Sequence, residues 1–142
     1  MRVLFDTNVV LDVLLKRSPH APVAVRLFDH VAGKALDGLL GATTVTTIHY
    51  LARKAVGPRK AAEHVGTLLA LFEVAAVTRA VLEGALAMKF PDFEDAVLHE
   101  AARQAGAQGI VTRDPEGFAP ARLSVYTPDE LLAVLDTGDD GG

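Results

Sequence analysis

No cysteine occurs in the chain. That excludes a disulfide framework, a thiolate zinc site and a cysteine nucleophile, and it suits a reducing compartment. Aromatic residues are few, with two tyrosines and six phenylalanines. No basic residues are interleaved with them, so nothing resembles a base-stacking platform. Positive charge is not in excess either: the net charge is −4, which leaves no global basic field to attract nucleic acid. No unbroken apolar stretch approaches the roughly 18 residues that a membrane-spanning helix needs. Asp6 interrupts the first apolar run before a signal-peptide core could form. The expectation is therefore a cytoplasmic protein that does not enter a membrane. A Gly-rich phosphate loop and a nucleophile elbow are also missing.

What is present is apolar material for a core. Half of the 142 residues are hydrophobic, which argues against disorder and for one domain. Val3-Leu4-Phe5 predicts a buried strand that stops at Asp6-Thr7-Asn8. Asn8 or Thr7 is expected to cap a helix from Val9 to Lys16. Apolar residues spaced by three and four predict a helix over His20–Ala32, closed by Gly33. Ala35–Ala42 reads as a weak second strand. Thr43 and Thr44 are expected to cap a helix with Val45, Ile48, Ala52 and Ala55 on one face. After Gly57-Pro58 a further helix runs to Leu71, with Val65, Leu68, Leu69 and Phe72 inward. A strand over Glu73–Val77, a helix over Ala80–Met88 and a helix from Asp92 or Phe93 to Gln104 follow. Ile110–Thr112 and Ser124–Tyr126 read as short strands, and Thr127-Pro128 starts a last helix. Strands alternating with helices predict an α/β fold with a parallel sheet covered on both faces. The domain is expected to span 1–135, with a frayed tail over 136–142.

Three aspartates remote in sequence each end or open an element. Asp6 ends the first strand, Asp95 lies in the first turn of a helix, and Asp114 follows Ile110-Val111-Thr112. In an open parallel sheet the carboxyl ends of the strands share one edge, and ligands bind there. Carboxylates crowded at that edge repel, and a hard divalent cation with oxygen ligands resolves the repulsion. Such an ion neutralises phosphate, lowers the pKa of a bound water and steadies a leaving oxygen. Much of the net charge would be local. Removing Asp6, Asp95, Asp114 and the tail's Asp139 and Asp140, five charges, from the net −4 leaves +1. A purely structural account is also open at each position: Asp6-Thr7-Asn8 as a capping turn, Asp92 and Asp95 as partners of a helix dipole, and Asp114-Pro115-Glu116-Gly117 as a β-turn.

The motifs Val-Leu-Phe-Asp-Thr-Asn-Val-Val-Leu-Asp at 3–12, Asp-Phe-Glu-Asp-Ala at 92–96 and Ile-Val-Thr-Arg-Asp at 110–114, followed by Phe118, resemble the ordered motifs of PIN domains. The resemblance covers about residues 2–132. It implies a three-layer α/β/α fold with a central, mainly parallel sheet. It also implies a Mg²⁺- or Mn²⁺-dependent ribonuclease in which Asp6, Asp95 and Asp114 are the metal-binding and catalytic acids. Asn8 and Thr112 match polar neighbours that hold water or metal, and Asp92 is placed as a secondary ligand. Compact bacterial and archaeal members are the toxins of VapBC toxin–antitoxin pairs, so the resemblance further implies an RNA substrate, an antitoxin partner and a homodimer. The helices at 20–32 and 44–71 would supply the partner surfaces. One departure stands out: Thr47 takes the place of a glutamate usual in PIN nucleases. A hydroxyl can offer a water-mediated contact but no charge, which implies weaker metal binding and slower or lost cleavage. Asp92 or Glu94 could compensate.

His99 follows Asp95 by four residues, so it is a candidate base or phosphate contact, with a surface histidine paired to a carboxylate as the alternative. Arg113 is a candidate RNA contact or carboxylate partner. Lys16-Arg17, Arg53-Lys54 and Arg59-Lys60 are basic pairs near helix ends, the first two suited to the helix dipole and all able to meet phosphates. Two other readings compete with the ribonuclease: a catalytically weak or inactive PIN-like module that binds RNA or protein, and a nuclease acting on DNA ends or flaps.

Overall fold

The first strand, β1 (Arg2–Phe5), sits at the centre of a five-stranded parallel sheet. The structure, a computed structural model, describes residues 1–141, with side chains from 1 to 137. Beside β1 lie β2 (Asp37–Gly41) and β4 (Gly109–Val111). The edges are β3 (Glu73–Ala75) and β5 (Ser124–Tyr126), giving the order β3-β2-β1-β4-β5. Every pairing is parallel, with Leu4 opposite Leu39 on one side and Ile110 on the other. The strand order reverses about β1, so the first and fourth strands define a crevice at their carboxyl ends.

Burial on both faces explains the continuous apolar run of β1. Val3 and Phe5 point into one core, together with Val9 of α1 (Thr7–Leu14), Leu27 and Phe28 of α2 (Ala21–Ala32), Ile48 of α3 (Ala42–Val56), Leu68 of α4 (Pro58–Leu71) and Leu131 of the last helix. Leu4 points the other way, with Leu39 and Ile110, against Val81 of α5 (Arg79–Ala87) and Ala101 of α6 (Phe93–Gln104). The result is the three-layer α/β/α arrangement. Phe5, Phe28 and Phe72 meet edge to face at centroid distances of 5.1–5.9 Å, the geometry that aromatic quadrupoles favour. Gly38 makes room for this cluster: a Cβ there would stand 2.6 Å from the Phe72 ring.

Most elements fall where the apolar spacing puts them, but several ends differ. Asp6, not Thr7 or Asn8, caps α1, its carboxylate accepting from the Thr7 amide. Helix α3 starts directly at the end of β2 with Gly41 as its cap residue, so Thr43 and Thr44 lie inside the first turn. Ala55 and Leu69 are exposed rather than inward. Asp114-Pro115-Glu116-Gly117 does not stop as a simple turn but enters a short 3₁₀ helix, Pro115–Phe118. The final helix, α7 (Pro128–Gly141), continues past residue 135, and Asp136 within it accepts from Arg26 at 3.4 Å. The rest of the tail expectation concerns side chains 138–142, outside those described. Among the described residues no helix is long and apolar enough to cross a membrane.

Candidate active site

A cleft of about 370 Å³ opens at the carboxyl edge of the sheet, between α1, α3 and α6. Asp6, Asn8, Thr47, Glu94, Asp95, Arg17 and Arg113 are among its lining residues. Asp6 comes from the end of β1, where parallel strands deliver their last side chain to this edge. It is only 8% exposed, yet both carboxylate oxygens have partners. Oδ1 accepts from the Thr7 amide at 2.7 Å and Oδ2 from the Thr112 hydroxyl at 2.8 Å. The Thr112 oxygen in turn accepts from the Asp114 amide at 3.0 Å. One buried hydroxyl therefore ties the loop after β4 to the end of β1. Asn8 bridges the same two segments, with Oδ1 accepting from the Arg113 amide at 3.3 Å and Nδ2 at 3.5 Å from Asp6 Oδ2.

Asp95 enters from the first turn of α6. Burial pushes its carboxyl up to about 7, reinforced by the negative charges of Asp6, Asp92, Asp114 and Glu94. Asp6 is raised too, chiefly by burial, while the Thr112 and Thr7 hydrogen bonds and the Arg113 charge work against this and Asp114 adds to it. Asp114 is exposed and does not line the cleft, but its carboxylate converges with that of Asp95 on Gly117. A Cβ at Gly117 would stand 2.9 Å from Asp114 Oδ2 and 3.2 Å from Asp95 Oδ2. Without a side chain at 117 the 3₁₀ helix approaches both acids, and a larger residue there would push their carboxylates aside.

Two of the expected residues take other roles, and a third takes one of the two open to it. Asp92 is exposed and caps α6, accepting from the Glu94 amide at 2.8 Å. Glu94, not Asp92, lines the cleft. His99 is neither in the cleft nor at the surface. It is fully buried, tilted against Phe90 at 5.3 Å, and its Nε2 accepts from the Arg122 and Leu123 amides at 3.0 and 3.4 Å. Burial lowers its pKa, in keeping with an imidazole that accepts at Nε2. A spacing of four from Asp95 misleads here because α6 is buried from Ala96 through Ala102. Arg113 lines the cleft and is a carboxylate partner, its Nε donating to Asp12 Oδ2 at 2.6 Å. Asp12 itself, fully buried and also bound by Arg17 at 2.8 Å, belongs to the site's framework. Its signal was a lone charge inside an apolar helical stretch. Gly117 is the other residue that spacing did not single out.

The donors that face this edge are carboxylates, hydroxyls and an amide, a hard oxygen set that suits Mg²⁺ or Mn²⁺ rather than a thiophilic metal. It is an open set: among the described residues no three His, Cys, Asp or Glu side chains form a ready-made metal cluster. Burial, with nearby carboxylate charges adding to it, raises both Asp6 and Asp95, the condition in which a bound cation would be favoured.

The sequence profile of the PIN domain matches residues 2–116. The chain belongs to the PIN domain family. Solved structures share its fold. VapBC2 from Rickettsia felis, bound to a DNA fragment from its promoter, superposes with a TM-score of 0.73 at 12% identity, covering 89% of this chain and 98% of that one. FitAcB from Neisseria gonorrhoeae gives 0.67 at 21% identity, with 89% and 97% covered. VapC20 from Mycobacterium tuberculosis, described as a sarcin–ricin loop cleaving toxin, gives 0.62 at 20% identity, with 76% and 86% covered. No curated protein sequence matches the chain.

Proposed function

We propose that the chain is a metal-dependent endoribonuclease, the toxin of a toxin–antitoxin pair, with Asp6, Asp95 and Asp114 as its metal-binding and catalytic acids and Mg²⁺ or Mn²⁺ as cofactor. One observation carries this reading. Three acids from the end of β1, the first turn of α6 and the segment after β4 gather at the carboxyl edge of the sheet, where burial, with the charges of Asp6, Asp92, Asp114 and Glu94 adding to it, raises Asp95 to about 7. A fold that keeps such a cost at its topological switch point has a use for it. A bound divalent ion would supply charge neutralisation and an activated water.

The chain's own groups do the rest. Thr7 and Thr112 hold the Asp6 carboxylate by both oxygens, and Asn8 and Thr112 fix the Asp114 segment relative to it. Thr47 and Glu94 both line the cleft, so Glu94 can supply the charge that Thr47 lacks. Arg17 and Arg113 bring positive charge to the cleft wall, where an RNA backbone would approach. Support for a protein partner comes from structural neighbours that are toxin–antitoxin complexes, such as one from Klebsiella pneumoniae. It also comes from apolar side chains left outside on α3 and α4: Tyr50, Leu51, Val56 and Leu69 are 36–57% exposed. An antitoxin, or a second copy of the chain, would cover them.

The test is cleavage of labelled single-stranded RNA with Mn²⁺ or Mg²⁺, with labelled DNA digested alongside. Metal-dependent RNA cleavage that disappears in Asp6→Asn supports the reading. Cleavage of DNA alone, or RNA binding without cleavage at any metal concentration, sinks it in favour of a DNA nuclease or a binding module.

A further inference from the structure

The framework of the cleft carries more positive than negative charge. Asp12 is fully buried in α1, and one cation would balance its charge. It has two. Arg17 donates Nε to Oδ1 at 2.8 Å, and Arg113 donates Nε to Oδ2 at 2.6 Å and Nη2 to Oδ1 at 3.3 Å. Arg17 is pinned further by Nη2 on the Asn8 carbonyl at 3.1 Å. The three groups together carry one net positive charge. Both guanidiniums remain partly open, with side chains 39% and 30% exposed. Among the described residues neither Nη1 has a hydrogen-bond partner. Each arginine thus presents unused donors from a fixed fork, the preorganisation that suits a phosphate.

Position adds the second argument. Arg17 and Arg113 both line the acidic cleft, and Arg113 also lines a neighbouring cleft of about 470 Å³ formed with Pro19, His20, Val23, Thr127, Pro128 and Asp129. A strand leaving the acids toward that second cleft passes Arg113, which lines both, with Arg17 held beside it on Asp12. We propose that Arg17 and Arg113, locked on Asp12, form a phosphate subsite. It grips the RNA backbone beside the bond to be cut and directs the next nucleoside into the second cleft. Asp12 is a positioning residue in this arrangement. The proposal rests on the ribonuclease reading for the identity of its ligand, but its test does not require cleavage.

The experiment measures binding of a fluorescent single-stranded RNA by anisotropy in EDTA, on the full chain carrying Asp6→Asn, over a range of salt. Each phosphate contact contributes about 0.7 to the slope of log K against log salt for single strands. Arg17→Gln should flatten that slope by about 0.7 and weaken binding about tenfold at low salt. Arg17→Lys, which keeps the cation and guards against a folding defect, should retain the slope while losing part of the affinity. Asp12→Asn removes a negative charge, so long-range attraction alone would strengthen binding. Positioning through Asp12 requires that it weaken instead. An unchanged slope in Arg17→Gln, or tighter binding in Asp12→Asn, overturns the proposal even if the wild-type chain cleaves RNA. The expected shifts in a chain that never cleaves RNA would leave the subsite standing and remove the nuclease reading.

Discussion

The two ends of the parallel sheet treat charge in opposite ways. Where the strands begin, Arg2 of β1 donates to Asp37 at the start of β2 and to Glu73 at the start of β3, at 2.8 and 2.6 Å. Its Nη1 meets the Ala105 carbonyl, and its backbone amide meets Gln108. Every carboxylate there has a guanidinium. Where the strands end, burial raises the pKa of both Asp6 and Asp95, with the charge of Asp114 adding to each and that of Asp6 adding to Asp95. The arginines nearby are committed to Asp12. Neutralisation at one end and buried, crowded carboxylates at the other, on one sheet, separate what holds the protein together from what it is proposed to work with.

Breaking the repulsive end should have the largest effect. Asp6→Asn keeps the capping acceptor and the size of the side chain but removes the charge, so activity should fall about 10²–10³-fold while the fold persists. RNA cleavage rates alongside thermal melts test both halves. Asp95→Asn should act on stability in a pH-dependent way. The folded pKa of Asp95, about 7, lies above its ordinary value of 3.8. Its contribution is therefore intact below pH 4 and is lost as the pH rises through 7. The variant should match the wild type near pH 4 and exceed it by about 1–2 kcal/mol at pH 8 without metal, solvent screening holding the gain below the full shift. Denaturant melts at both pH values decide it, and an equal gain at both would refute the raised pKa of Asp95. Thr47→Glu sharpens the same end. One more carboxylate on the cleft wall should tighten Mn²⁺ binding about tenfold, read by calorimetric titration. No change would mean that Glu94 already fills that place.

The sequence revealed this site unevenly, for physical reasons. Asp6 and Asp114 were legible because a parallel sheet sends strand ends to one edge, so a polar residue after an apolar run has a known destination. The helical start at Asp92 was legible as a cap, and a cap is what Asp92 is. The cap uses one oxygen of its carboxylate, and the neighbouring Glu94 lines the cleft. His99 was misplaced because helical spacing fixes direction only relative to a face, and α6 has almost no exposed face after its first turn. Asp12 and Gly117 depend on long-range contact: one needs Arg113 from 101 residues away, the other the approach of a 3₁₀ helix to two acids. Asp12 shows locally only as a lone charge in an apolar stretch, and Gly117 has no local pattern.

The neutralised end should yield the smallest effect, and that is its value as a control. Arg2 and Asp37 have side chains 32% and 47% exposed, so water already solvates much of the pair and its net worth is small. Asp37→Asn leaves a hydrogen-bonding side chain and leaves Glu73 to hold Arg2. The melting temperature should drop slightly in dilute buffer. The difference from wild type should shrink as salt approaches 1 M, where the screening length falls to about 3 Å. Cleavage of RNA should not change, because no residue of this network lines the acidic cleft. If Asp37→Asn instead slowed cleavage as Asp6→Asn does, strand starts and strand ends would be coupled through β1. The division between a stabilising edge and a working edge would then be wrong.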